Sequence, residues 1–185
     1  MNDYRINLNY AKALLMLAND LGQSEEVMKD MKMVNEVCNE NKVLNTIFTN
    51  PSIKMEKKVG VVEELFREKI SKTTMAFLTF VIRKRRGINL KGISKMFLEQ
   101  YREANNIVVA DVMTAVEVNP EYLERIRVGV ANFTGKNVEV YSHTTNKMLG
   151  SFYLTFGTYL YDARIRTRIA RMRVAFSKNE YEGKF

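Results

Sequence analysis

Apolar residues recur every three or four positions through the first hundred residues, and in much of the remainder they alternate with polar ones. The first spacing predicts helices and the second predicts strands. Tyr10, Leu14, Leu17 and Leu21 make one stripe over residues 4–21, with Gly22 as the stop. Val27, Met31, Val34 and Cys38 make another over residues 24–41, whose remaining faces are charged. Val43, Leu44, Ile47 and Phe48 mark a short helix ended by Asn50-Pro51. Met55, Val59, Val62 and Leu65/Phe66 face inward over 54–68, and Leu90, Ile93, Met96/Phe97 and Tyr101 do so over 90–105. Between those two lies residues 73–86, TTMAFLTFVIRKRR, with Ser71 placed to cap it and Gly87 just past its end. Six helices joined by short loops predict an N-terminal helix bundle.

Two of these helices carry more apolar residues than one buried face requires. In 73–86, Met75, Leu78 and Ile82 form the stripe, yet Ala76, Phe77, Phe80 and Val81 are apolar as well. Helix 1 adds Ala13, Leu15, Met16 and Ala18 to its own stripe. A helix that is apolar all round must be covered all round. Either its neighbours wrap it completely, or it offers a face to another protein's helix.

The period changes at Asn106. Residues 107–118, IVVADVMTAVEV, read as a strand. Asn119-Pro120-Glu121 is a helix start, with Leu123, Ile126 and Val130 on the apolar side and Gly135 at the end. Val138 to Tyr141 alternates, residues 151–156 form another strand, and Gly157 turns the chain into Tyr159–Tyr161. Asp162 then caps a last helix running to about Ser177. The expected fold is therefore mainly α: a six-helix bundle over 1–105, followed by a small α+β domain over 106–185.

Composition narrows the function classes. No run approaches 18 uninterrupted apolar residues, so no spanning helix is expected. The opening MNDYRINLNY lacks the regions of a signal peptide. A single cysteine, Cys38, permits no internal disulfide; it sits on an apolar stripe and reads as a core thiol, as in a cytosolic protein. The lone His143 follows a strand and reads as a surface loop residue, and one His with one Cys cannot make the usual transition-metal site. Neither GxGxxG nor GxxxxGK[ST] occurs, and Glu25-Glu26 and Glu63-Glu64 lie on polar helix faces. No catalytic residue, cofactor or metal is expected.

The net charge is +8, with 18 basic and 13 acidic residues before residue 107 and 11 and 8 after it. Two clusters stand out. Arg83-Lys84-Arg85-Arg86 closes the fifth helix, where cations also suit the helix dipole. The last helix holds Arg164, Arg166, Arg168, Arg171 and Arg173 opposite Ile165, Ile169, Met172 and Phe176. Such a helix can lie on an acidic protein helix, a membrane surface or RNA, or can be a core helix with a solvated back. A nucleic-acid-binding protein using these two clusters is the alternative function, although no RRM, KH or zinc-finger signature accompanies them.

Several motifs in order resemble one family. Asn9-Tyr10-Ala11-Lys12-Ala13-Leu14 is similar to its opening "YAkAL", and Asn50-Pro51-Ser52-Ile53 with Lys57 or Lys58 to its "nPxi…K". Phe77, Arg86, Leu90 and Ile93 fit "nFl…R…L..I", and Val112-Met113-Thr114-Ala115 fits "V.tA". Leu149-Gly150-Ser151-Phe152 and Tyr161-Asp162-Ala163-Arg164-Ile165 resemble "iGGf…iD.Si", with Ser151 in place of the second glycine and Arg164 in place of the serine. The family is the delta subunit of bacterial F-type ATP synthase, counterpart of the mitochondrial oligomycin-sensitivity-conferring protein. The resemblance implies a non-catalytic stator subunit at the cytoplasmic face of the bacterial inner membrane. It also implies two partners. The N-terminal bundle would take the N-terminal helix of an alpha subunit, mainly through helices 1 and 5. The C-terminal domain would hold the ends of the peripheral-stalk b subunits. Tyr10, Ala13, Leu14, Leu17, Phe77, Phe80 and Val81 are then the expected groove residues. Ile165, Arg168, Ile169 and Met172 are the residues expected to touch the b subunits.

Overall fold

Six helices in succession, then a switch to strands, is the order followed by the computed structural model, which describes residues 2–145, 152–163 and 165–177. Among the described residues, eight α-helices and one four-stranded sheet make the chain mainly helical. It divides into two compact units, Met1–Asn105 and Asn106–Phe185.

The first unit holds α1 (Asn2–Asp20), α2 (Ser24–Glu40), α3 (Lys42–Thr49), α4 (Met55–Phe66), α5 (Lys72–Arg83) and α6 (Leu90–Ala104), with a 3-10 turn at Gly87–Asn89 before α6. The helix α6 packs against both α1 and α2, while α5 packs chiefly against α4. Stripes at helical spacing form the core: Val27, Met31, Val34 and Cys38 from α2 meet Leu90, Ile93, Phe97 and Tyr101 from α6, all buried. The helix α6 comes close to α1 at Gly92, where a Cβ would fall 2.1 Å from the Asn7 side-chain amide, so that amide would have to move for any larger residue.

Ser71 caps α5 by accepting from the Thr74 N–H at 3.2 Å. A buried carboxylate from α2 completes that helix start. Asp30 Oδ2 accepts from Ser71 N (2.9 Å), Ser71 Oγ (2.6 Å) and Thr74 Oγ1 (2.8 Å). An anion there also suits the positive end of the α5 dipole.

The other end of α5 departs from expectation. The helix stops at Arg83 and not at residue 86, because Arg85 adopts a left-handed φ of 59°. Arg86 N then donates to Val81 O and Arg85 N to Ile82 O, at 3.0 and 2.8 Å, the paired bonds of a Schellman ending. Gly87 is therefore not the stop. Its role is closeness: a Cβ there would lie 2.9 Å from Phe48 Cδ1.

In the second unit, β1 (Ile107–Thr114) pairs in parallel with β2 (Asn137–Thr144) through the crossover helix α7 (Pro120–Thr134). Asn119 caps α7 and Gly135 ends it at φ 68°. β3 (Phe152–Phe156) and β4 (Tyr159–Asp162) continue antiparallel, giving the order β2-β1-β3-β4, and α8 (Ile165–Ser177) follows. Ala110, Val112, Val130, Val138 and Leu154 form the core between sheet and α7. The first strand ends at Thr114, short of residue 118, and Thr114 Oγ1 turns back to donate to Val116 O at 2.7 Å. His143 lies inside β2 and not in a loop, opposite Met113, exposed and 3.8 Å from Asp111. The Leu149-Gly150-Ser151 motif and Arg164 lie outside the described residues.

Candidate functional site

An apolar groove of about 590 Å³ runs between α1 and α5. Asn9, Tyr10, Ala13, Leu14 and Leu17 line it from α1, and Thr73, Ala76, Phe77 and Phe80 from α5. Its origin is the excess of apolar positions on both helices. α1 spends one face on α6, and α5 spends one on α4, so each has a second apolar face left over. Leu14 and Phe77 are buried and form the floor, while Leu17 (43% exposed) and Phe80 (48% exposed) form rims. Tyr10 and Phe80 face one another with ring centroids 6.4 Å apart. At this end Lys84 Nζ lies 5.6 Å from the centre of the Phe80 ring. Near the other end Thr73 Oγ1 donates to Gln23 Oε1 at 2.9 Å, which satisfies one of the few polar groups on the wall.

Six of the seven residues expected at a helix-binding groove thus line one cavity. Val81 does not. It is fully buried, because one step from Phe80 turns it by 100° into the core beside Leu78 and Ile82. Asn9, Thr73 and Ala76, outside the expected set, complete the walls. Thr73 lies four before Phe77 and Ala76 four before Phe80, so helical spacing alone puts them on this face.

The second unit carries its own open apolar surface. Arg168, Ile169 and Met172 of α8 are all exposed, whereas the side chain of Ile165 lies outside the described residues. Beside the sheet, α7, β3 and β4 frame a cleft of about 450 Å³. Phe133, Phe156 and Tyr159 form a three-ring cluster in it, with centroids 5.3–5.8 Å apart. Phe133 and Tyr159 remain more than half exposed. Phe133 extends the Leu123, Ile126, Val130 spacing by three residues, so helical spacing in the sequence already places it on that face.

Both surfaces are lined chiefly by apolar side chains. Among the described residues no group of three His, Cys, Asp or Glu side chains could hold a metal, and no helix is long and apolar enough to cross a membrane. Cys38 is buried, and desolvation pushes its thiol above the usual 9.0 against a smaller opposing effect of Lys91.

The family model described as ATP synthase delta (OSCP) subunit matches residues 6–176. The chain belongs to that family. A family relative from Chlorobium luteolum, named ATP synthase subunit delta, is 31% identical over 171 residues, covering 92% of this chain and 94% of that one. One from Desulfosudis oleivorans with the same name is 28% identical and covers 97% and 99%. A chain in the cryo-EM structure of the Toxoplasma gondii mitochondrial ATP synthase hexamer shares the fold. Its TM-score is 0.70 at 19% identity, covering 92% of this chain and 97% of that one.

Proposed function

We propose that this chain is a peripheral-stalk, or stator, subunit of F-type ATP synthase, joining the catalytic alpha/beta head to the b subunits so that proton translocation is coupled to rotary ATP synthesis. Helices α1–α6 act as a six-helix bundle whose α1–α5 groove receives the amphipathic N-terminal helix of an alpha subunit. The observation that carries this reading is the groove itself, in a chain of this family: an apolar floor, half-exposed Leu17 and Phe80 rims, and few polar groups on its walls. A helix-in-groove contact needs that geometry. The second unit, 106–185, holds the b subunits through the apolar and cationic side chains of α8 and the strands before it. The role is non-catalytic, and attachment to the cytoplasmic face of the bacterial inner membrane is peripheral, through the complex. The family match lends no support to the nucleic-acid reading of the two arginine clusters.

Reconstitution tests the role. Membranes carrying the complex but depleted of this subunit should regain ATP-driven proton pumping when the chain is added back, and Phe80→Asp should fail at the same concentration. No recovery with the unaltered chain would contradict the stator role; full recovery with Phe80→Asp would contradict the groove.

A further inference from the structure

A different cavity of about 370 Å³ lies where the α3–α4 connection meets the end of α5. Its volume falls in the range of small-molecule sites, roughly 300–1,000 Å³. Three cations line it, Lys54, Lys58 and Arg85, and among the described residues no carboxylate does. Lys54 and Lys58 stand one turn apart at the start of α4, and the fold brings Arg85, just past the end of α5, to the same wall. Lys58 is held in place: its Nζ donates to Phe48 O at 2.9 Å, leaving two further N–H donors on the ammonium. Arg85 stands at the wall because α5 ends in the left-handed conformation it adopts, at φ 59°. The remaining wall is largely apolar and includes Phe48, Ile53, Met55 and Ile82. The first turn of α4 begins at this wall, and Lys54 at its N-cap offers no capping side chain.

We propose that this cavity binds a small phosphomonoester with an apolar body. Three cations lining one cavity match a dianion better than a single carboxylate, and the guanidinium can bond two phosphate oxygens at once. The start of α4 adds favourable potential for the same charge. The apolar wall accounts for the body. The site lies apart from the α1–α5 groove and shares no lining residue with it.

The test is calorimetric titration of the full chain with phenyl phosphate at fixed ionic strength, with phenol, inorganic phosphate and phosphatidylglycerol vesicles as parallel arms. Saturable one-to-one binding of phenyl phosphate at about 1 mM or below is expected, with phenol and inorganic phosphate each at least fivefold weaker. Arg85→Gly suits the left-handed backbone, so its melting temperature should be no lower than that of the parent. It and Lys54→Gln should each weaken phenyl phosphate at least fivefold. Three results would overturn the proposal: no saturable binding of phenyl phosphate, affinity unchanged in both variants, or equal affinity for phenol or inorganic phosphate. Binding to the vesicles without binding of phenyl phosphate would also overturn it.

Discussion

Asp30 shows what a single side chain holds together. One carboxylate oxygen receives three donors from Ser71 and Thr74 and joins α2 to the start of α5. Asp30→Ala leaves those donors buried without their partner and should lower stability by about 2–4 kcal/mol in urea denaturation. A loss under about 1 kcal/mol would mean that water replaces the carboxylate. The Ser71 cap was legible in the sequence because a cap is local. Its partner was not, lying 41 positions away on a helix whose pattern marks only apolar contacts. Cys38 gives a second prediction. Burial disfavours its thiolate, so a thiol reagent should react far more slowly with the folded chain at pH 7–8 than with the denatured chain. The linkage has a definite sign: the folded thiol titrates above the unfolded one, so its contribution to stability is complete below pH 9.0 and is lost as pH rises beyond that value. Equal labelling rates in the folded and denatured chains would contradict its burial.

At the scale of elements, floor and rim of the groove should respond differently. Leu14 is 1% exposed, so Leu14→Ala should cost about 2–5 kcal/mol of stability. Phe80 is 48% exposed, so Phe80→Asp should cost much less while removing helix binding. Thermal melts of the two variants beside their binding curves check the distinction, and equal destabilisation would place Phe80 in the core. In α8, Ile169 and Met172 are 54% and 51% exposed. Ile169→Asp with Met172→Asp should leave the melting temperature nearly unchanged and weaken capture of a fragment from the C-terminal end of the b subunits at least tenfold. Undiminished capture would exclude this helix from the contact. Element types were readable from period alone, since the α2 and α6 stripes are buried as spaced. Element ends were less readable. The end of α5 depends on Arg85 entering a conformation that sequence usually assigns to glycine, whereas the nearby Gly87, which reads as the stop, serves the close approach of Phe48.

For the whole molecule, the excess apolar residues on two helices far apart in sequence signalled that something must cover them. That α1 and α5 leave a groove between them follows only from how α6 and α4 occupy their other faces. The cleft on the second unit was less visible, because its aromatics come from α7, β3 and β4 and no single stretch displays them together. The central claim is that the α1–α5 groove takes the alpha subunit's N-terminal helix. Its most direct test is calorimetric titration of the chain with a peptide of about 20 residues from that terminus, a helix some 30 Å long. One-to-one binding at micromolar affinity or better, about −8 kcal/mol, is expected, together with its loss in a folded Phe80→Asp variant. Absence of binding by the folded chain, or equal affinity in Phe80→Asp, would contradict it.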